Sequence, residues 1–339
     1  MLKESSLQHL QNKKNLLAFS AGGDSTALFF LLRDFNIKCD IAIVDYGVRK
    51  QSKEEVLYAK KLAKENNCNC FVHKAEKITK NFESNARDLR YKFFETIIQE
   101  HSYVNLLTAH HLGDRFEWML MQFCKGAGCI ELSGMQEIEK REKYTLIRPL
   151  LHLDKGELLT YLSKNTLQFF EDETNLNEDI KRNQFRKDHS QPLLKKFLSG
   201  IKKSFEYIDE DKEDLIQEIT LEIIGELAYF KSTGKKRADI FAIDKYMKKN
   251  SYMPSSSERD LLKNKSMVNL GRRYLVNQQH GYVFIIPCVE ESFSMSKEFK
   301  EECRILKIEP KLRSFLYQNE EAFAKVKELL LQTTTSSTV

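Results

Sequence analysis

The chain has no C-x-x-C pair, no apolar run of bilayer length and no apolar segment behind its charged N-terminus. Its seven cysteines are scattered and odd in number, the closest spacings being C-x-C at Cys68 and Cys70 and C-x₄-C at Cys124 and Cys129. That pattern argues against a zinc site, an iron–sulfur cluster or a disulfide scaffold, and it suits a reducing cytoplasm. A spanning helix needs a run of about 20 apolar residues, and none is found. The start, Met1-Leu-Lys-Glu-Ser-Ser, carries no secretory signal. Two common nucleotide signatures are missing as well: the Gly-Lys-Ser/Thr ending of a Walker A loop and the G-x-G-x-x-G of dinucleotide-binding folds.

What is present is a chain of 339 residues, 41% apolar, long enough for two domains. The net charge of +5 is modest but unevenly spread. Lys181, Arg182, Arg186, Lys187, Lys195, Lys196, Lys202 and Lys203 stand against Asp188 alone, and a second basic region runs through Lys231, Lys235, Lys236, Arg237, Lys245, Lys248 and Lys249. Either cluster can be a solvated helix face or a surface that neutralises nucleic-acid phosphates.

Strand-like and helix-like segments alternate in the first half. Strands are expected at Leu16–Phe19, Cys39–Val44, Cys70–His73, Val104–Thr108 and Tyr144–Ile147. Helices are expected at Thr26–Phe35, from Ser52 to about Asn66, from Ser84 to His101, near Asp114–Phe123 and from Asp154 to about Lys164, with capping-box spacing at Ser52 and Asp154. This order predicts an α/β domain with a mostly parallel sheet and helices on both faces. Ligands of such folds sit beyond the carboxyl ends of the strands, where the Ser20 loop, Asp45, His110 and Arg148 can converge. The boundaries read as a catalytic domain over 1–200, a helical linker over 201–230, a small α+β domain over 231–332 and a disordered polar tail over 333–339.

Three groups carry chemistry. The stretch Leu16-Leu-Ala-Phe-Ser-Ala-Gly-Gly-Asp-Ser25 takes an apolar strand through a small-residue loop into a helix. Such a turn aims backbone N–H groups at one spot, ready for phosphate. Asp24 repels phosphate unless a cation intervenes, which Mg²⁺ would do. His110, Asp114 and Glu117 stand at i, i+4 and i+7 and share a face if the helix begins near His110. Asp114 and Glu117 then serve Mg²⁺ or a nucleophilic amine, and His110 contacts nucleotide or phosphate; a capping histidine with two solvated carboxylates is the plain alternative. Arg87 and Arg90 can offer planar forks to phosphates or pair with Glu83. Arg182-Asn-Gln-Phe-Arg186 opens a basic helix after an acidic loop.

The loop resembles the S-G-G-x-D-S signature of PP-loop ATP pyrophosphatases. Taken in order, the Ser20–Ser25 loop, Val44–Arg49, Glu83–Tyr91, Thr108–Glu117, Lys125–Met135, Arg148–Leu151 and Glu171–Arg186 resemble the tRNA(Ile)-lysidine synthase family across about the first 190 residues. The resemblance implies a ligase that uses ATP and Mg²⁺. ATP lies on Ser20, Ala21, Gly22, Gly23, Asp24 and Ser25. Asp24, His110, Asp114 and Glu117 act in catalysis. Arg87, Arg90, Arg148, Arg182, Asn183 and Arg186 contact substrate and tRNA. The partners implied are free L-lysine and tRNA(Ile) with a CAU anticodon, without a membrane; oligomeric state is left open. Four positions depart from the family's usual residues: Ala21 for glycine, Tyr46 for histidine, Gly113 for aspartate and Trp118 for threonine. Another PP-loop tRNA-modifying enzyme and an inactive RNA-binding homologue are the alternatives.

Overall fold

The computed structural model describes residues 1–47, 51–76, 82–171, 184–215, 219–289 and 294–335. The chain forms two compact units, Met1–Lys212 and Glu213–Val339.

The first unit opens with α1 (Glu4–Leu10), then β1 (Asn15–Ala18), α2 (Gly23–Asp34), β2 (Asp40–Asp45), α3 (Gln51–Glu65), β3 (Cys70–Lys74), α4 (Phe82–His101), β4 (Asn105–Leu107), α5 (Leu112–Phe123), α6 (Cys129–Ser133), β5 (Ile138–Lys140), β6 (Thr145–Ile147), α7 (Lys155–Lys164) and α8 (Gln191–Leu215). The sheet order is β3-β2-β1-β4-β6-β5, parallel except for β5. Alternation along β1 sends Leu17 to one face and Leu16 to the other. Leu17 joins Leu28, Leu32, Leu62, Leu158 and Leu162 from α2, α3 and α7, whereas Leu16 joins Phe94, Ile97 and Ile98 of α4. Covering both faces makes this sheet's strands short apolar runs.

The helix expected at Asp154 forms as α7, with Asp154 accepting from Gly156 N–H and Glu157 closing the capping box. Outside the sheet, α5 buries Leu112 and Phe116 against Leu194 and Phe205 of α8. Arg115 braces that contact through Ser133 O, a bidentate pair with Asp209 and the Phe205 ring.

The second unit holds a five-stranded antiparallel sheet, β7 (Glu222–Ile224), β8 (Leu227–Lys231), β9 (Met267–Leu270), β10 (Tyr274–Gln279) and β11 (Tyr282–Pro287), in the order β7-β8-β11-β10-β9. Helices 236–249 and 256–264 cover one face, and helices 297–305, 310–318 and 320–335 the other. Two expectations are corrected. The helix read through residue 230 is described as far as Leu215, and 222–231 is a hairpin that turns at Gly225 with φ +56°. Its Ile and Tyr residues favour a half-buried strand more than a helix. The tail expected to be disordered is helical through Thr335, and residues 336–339 lie outside the described residues.

Candidate active site

The phosphate-type loop has a defined geometry. β1 leads through Phe19, whose N–H bonds to Ala42 O, and α2 starts at Gly23 with no side-chain cap on Gly22. The first-turn amides of an uncapped helix are left for a ligand, and the helix dipole favours an anion there. Ser25 is buried, and its Oγ accepts from Ser20 N–H at 3.2 Å, donates to Gly22 O at 3.1 Å and lies 3.1 Å from Ser20 Oγ. The exposed Ser20 hydroxyl is therefore held at the loop mouth.

Ala21 is the strained member. It is fully buried at φ +61°, a conformation that suits glycine. Its carbonyl accepts from Phe170 N–H at 2.9 Å, which pins the loop to the segment after α7. Neither Gly22 nor Gly23 has a positive φ; their value is room, since a Cβ on Gly22 would sit 3.3 Å from Ser20 Oγ and one on Gly23 3.4 Å from Phe169.

The polar stripe of α5 differs from the sequence reading in its first residue. The helix begins at Leu112, so His110 lies before it and His111 is the N-cap. His111 Nδ1 accepts from Gly113 N–H at 2.9 Å, while Asp114 accepts from His111 N–H at 3.1 Å. A proton on the other ring nitrogen then faces two carboxylates, Asp24 at 3.8 Å and Asp114 at 3.7 Å from Nε2. His111 thus ties the phosphate loop to α5, a role sequence reasoning missed. The legible signal was the His-x-x-Asp capping spacing, which marks His111, the second of the two histidines, as the helix cap.

Asp114 and Glu117 do share one face and meet Arg186. Its Nε donates to Glu117 Oε2 at 2.5 Å and its Nη2 to Asp114 Oδ1 at 3.3 Å. Glu117 is fully buried, and Asp114 keeps part of its side chain open to solvent. Arg186 comes from the first residue of a π-helical turn, Arg186–Ser190, that runs into α8; such turns often mark functional sites.

Burial pushes the Asp114 carboxyl up. His111, His110, the His111 N–H and Arg186 together outweigh this and hold it down at about 2. Burial drives the His110 imidazole down to about 4; Asp114 opposes the fall, and Arg148, Arg87 and Arg90 add to it. Its Nδ1 lies 2.9 Å from Thr108 Oγ1. At neutral pH it is an uncharged ring beside an anionic carboxylate.

The arginines divide. Arg87 and Arg90 are exposed on α4 and near enough to act on His110. Arg148 is buried, with its guanidinium committed to Gln136 O at 2.7 Å and Glu139 at 2.8 Å, so it sets the local field without presenting an open fork. Arg182 and Asn183 lie outside the described residues. Asp45 accepts from Gly47 N–H and closes its own turn. A hollow of about 930 Å³ opens elsewhere, lined by Lys14, Arg33, Asp40 and Tyr103 at the strands' amino ends, the wrong end of the sheet for this site.

A PP-loop domain model matches residues 2–193. The tRNA(Ile)-lysidine synthase of Helicobacter pylori is 42% identical over 92% of this chain and 91% of its own length. Those of Campylobacter jejuni and Wolinella succinogenes are 41% and 40% identical, covering 94% and 91% of this chain and 97% and 94% of themselves. The chain belongs to the tRNA(Ile)-lysidine synthase family. Among solved structures, the U34-tRNA thiolase NcsA from Methanococcus maripaludis has a TM-score of 0.51 at 18% identity, over 64% of this chain and 78% of the thiolase, a likeness of fold.

Within the lysidine synthase family the departures have visible surroundings. Tyr46 donates to Ala86 O at 3.2 Å. A Cβ on Gly113 would come 2.6 Å from His111 Cε1, so the usual aspartate would displace the ring from its bond to the 113 N–H. Trp118 is 42% exposed and packs on Gly134. As a PP-loop protein the chain uses ATP, and no helix among the described residues is long and apolar enough to cross a membrane.

Proposed function

We propose that this chain ligates free L-lysine to C2 of the wobble cytidine of tRNA(Ile) bearing a CAU anticodon, consuming ATP and releasing AMP and pyrophosphate through an adenylated tRNA. The observation that carries this is the meeting of two half-sites. An uncapped helix N-terminus bearing Asp24 lies beside a carboxylate pair, Asp114 and Glu117, gripped by Arg186.

The two halves suit the two steps. The amides of the Gly22–Ser25 turn and the Ser20 hydroxyl receive the leaving pyrophosphate, whose charge grows as the cytidine oxygen attacks the α-phosphate. Asp24 fits a hard cation: among the described residues its one ion-pair partner is His111 Nε2, at 3.8 Å. Mg²⁺ held there would neutralise phosphate charge. Asp114, anionic far below neutral pH, binds the ε-ammonium of lysine better than it accepts a proton, so the ammonium sheds its proton to solvent before the amine attacks C2 and AMP leaves. Arg186 keeps Asp114 and Glu117 in register for that ammonium. The basic residues of 181–203 and of the second unit take the tRNA backbone. A cytoplasmic site of action agrees with seven free cysteines.

The test is incubation of the protein with ATP, labelled lysine and the unmodified tRNA, followed by nucleoside analysis. Labelled lysidine is the expected product. Tight tRNA binding with neither lysidine nor pyrophosphate release would instead favour an inactive RNA-binding homologue.

A further inference from the structure

Trp118 is the single tryptophan of the chain. It stands one residue past Glu117 and one turn past Asp114 on α5, about 6 Å along the helix axis from Asp114. Residues four apart lie on the same flank of a helix, so Trp118 and Asp114 share one flank of α5. It is propped from one side. Gly134, at φ +65°, ends α6 with bare backbone against the indole, and a Cβ there would come 3.0 Å from Trp118 Cδ1. The residue is still 42% exposed. A ring of this size, backed by a glycine and left open on the flank of α5 that also carries Asp114, is a surface made for a flat partner.

We propose that Trp118 is the stacking platform on which the wobble cytosine is laid while its C2 is adenylated and then attacked. The inference rests on the function proposed above. An anticodon base cannot present C2 to both half-sites while stacked in its loop, and single-stranded RNA bases are commonly splayed out onto aromatic side chains. Stacking tolerates any base. Trp118 is therefore a positioning residue that contributes affinity and orientation, and it leaves the choice of cytosine to polar groups.

The single tryptophan makes the test direct. Emission of the full-length protein is titrated with the unmodified tRNA and with the same tRNA lacking the wobble base, filter binding confirming that both bind. The expected result is saturable quenching by the first, at least halved with the second. Trp118→Leu should raise the apparent KM for tRNA about tenfold, leave those for ATP and lysine unchanged, and be rescued to within about threefold by Trp118→Phe because a ring is restored. Equal quenching by both RNAs, or Leu performing as well as Phe, overturns the proposal. Lysidine formation by the unaltered protein separates the two readings. Lysidine with base-independent emission removes only the platform, and no lysidine removes the parent function with it.

Discussion

The parallel sheet of Met1–Lys212 and the antiparallel sheet of Glu213–Val339 each bury apolar side chains on two faces, and each buries carboxylates, but they satisfy those carboxylates differently. In the second unit Asp239 accepts from Ser232 and Thr233, six or seven residues away, and Asp244 pairs with Lys248 and Arg259, at most 15 residues away. These are local caps and clasps. In the first unit Glu117 and Asp114 meet Arg186 from 69 and 72 residues away, and Asp24 faces Asp114 across His111. Distance in sequence is not enough by itself, because Arg115 and Asp209 are 94 apart and form a strut. What sets the site apart is that like charges from separate elements converge and stay partly open. An arrangement so costly electrostatically is kept for chemistry.

The largest effect should come from the loop. Asp24→Asn keeps the shape and removes the charge that a cation needs. Adenylation, read as tRNA-dependent ATP–pyrophosphate exchange, should fall by at least about 10²–10³-fold, with tRNA binding largely kept. Exchange within threefold of the unaltered protein would strip Asp24 of its role. The second unit is expected to contribute to tRNA, not to ATP. Ending the chain at Leu215 keeps Phe205 and Asp209, which a cut near residue 200 would remove from the α5–α8 contact. The shortened protein should retain ATP and lose about a hundredfold in tRNA affinity, and the full chain should bind more weakly as salt rises. Unchanged affinity would place the RNA surface wholly in the first unit.

Acid should separate the units next. His110 titrates near 4 when folded, below its ordinary 6.5, so the unfolded chain binds more protons between those values. Its contribution is complete above about pH 6.5 and is lost as pH falls towards 4, about 2 kcal/mol being gone by pH 5. His152, also lowered chiefly by burial, adds the same sign. Asp114 extends the loss from its ordinary 3.8 down to about 2. Trp118 emission follows the first unit alone, so chemical unfolding at pH 7.5 and pH 5 should show its midpoint falling. An unmoved midpoint would mean that His110 is not held uncharged. The smallest effect belongs to Ala21→Gly. Relief of a left-handed alanine is worth about 1–2 kcal/mol, and the added freedom of the unfolded chain returns about 0.4–1. The first unit should gain no more than about 1.6 kcal/mol in the same unfolding assay, with little change in the KM for ATP. Recovery of activity from near zero would mean that the extra methyl had disabled the loop.

Much of this was legible in the sequence. Strong apolar runs placed β1 to β4 and a capping box placed α7, because those elements are decided locally, whereas Ser52, read as the cap of α3, lies inside that helix, which is already formed at Gln51. The loop and Asp114, Glu117 and Arg186 were legible as motif residues. The hairpin at 222–231 was not, since an apolar stretch beside an acidic helix has no local mark of where helix ends and strand begins, apart from Gly225. His111 was passed over for His110 because the helix start shifted by two residues. Arg148 was read as a substrate contact because its partners, Glu139 of β5 and Gln136 just before it, belong to a three-residue edge strand and its approach, with no sequence signature. The αL conformation of Ala21 is set by its bond to Phe170, a tertiary contact.

The central claim is that one half-site adenylates and the other delivers lysine. The most direct measurement is a quench-flow analysis of tRNA from Glu117→Gln with ATP and saturating lysine. That change keeps the shape of the buried side chain while removing the charge gripped by Arg186. The account predicts adenylated tRNA formed at near the unaltered rate and accumulating, with lysidine at least about tenfold slower. Lysidine appearing at the unaltered rate, or the loss of adenylation along with lysidine, would contradict it.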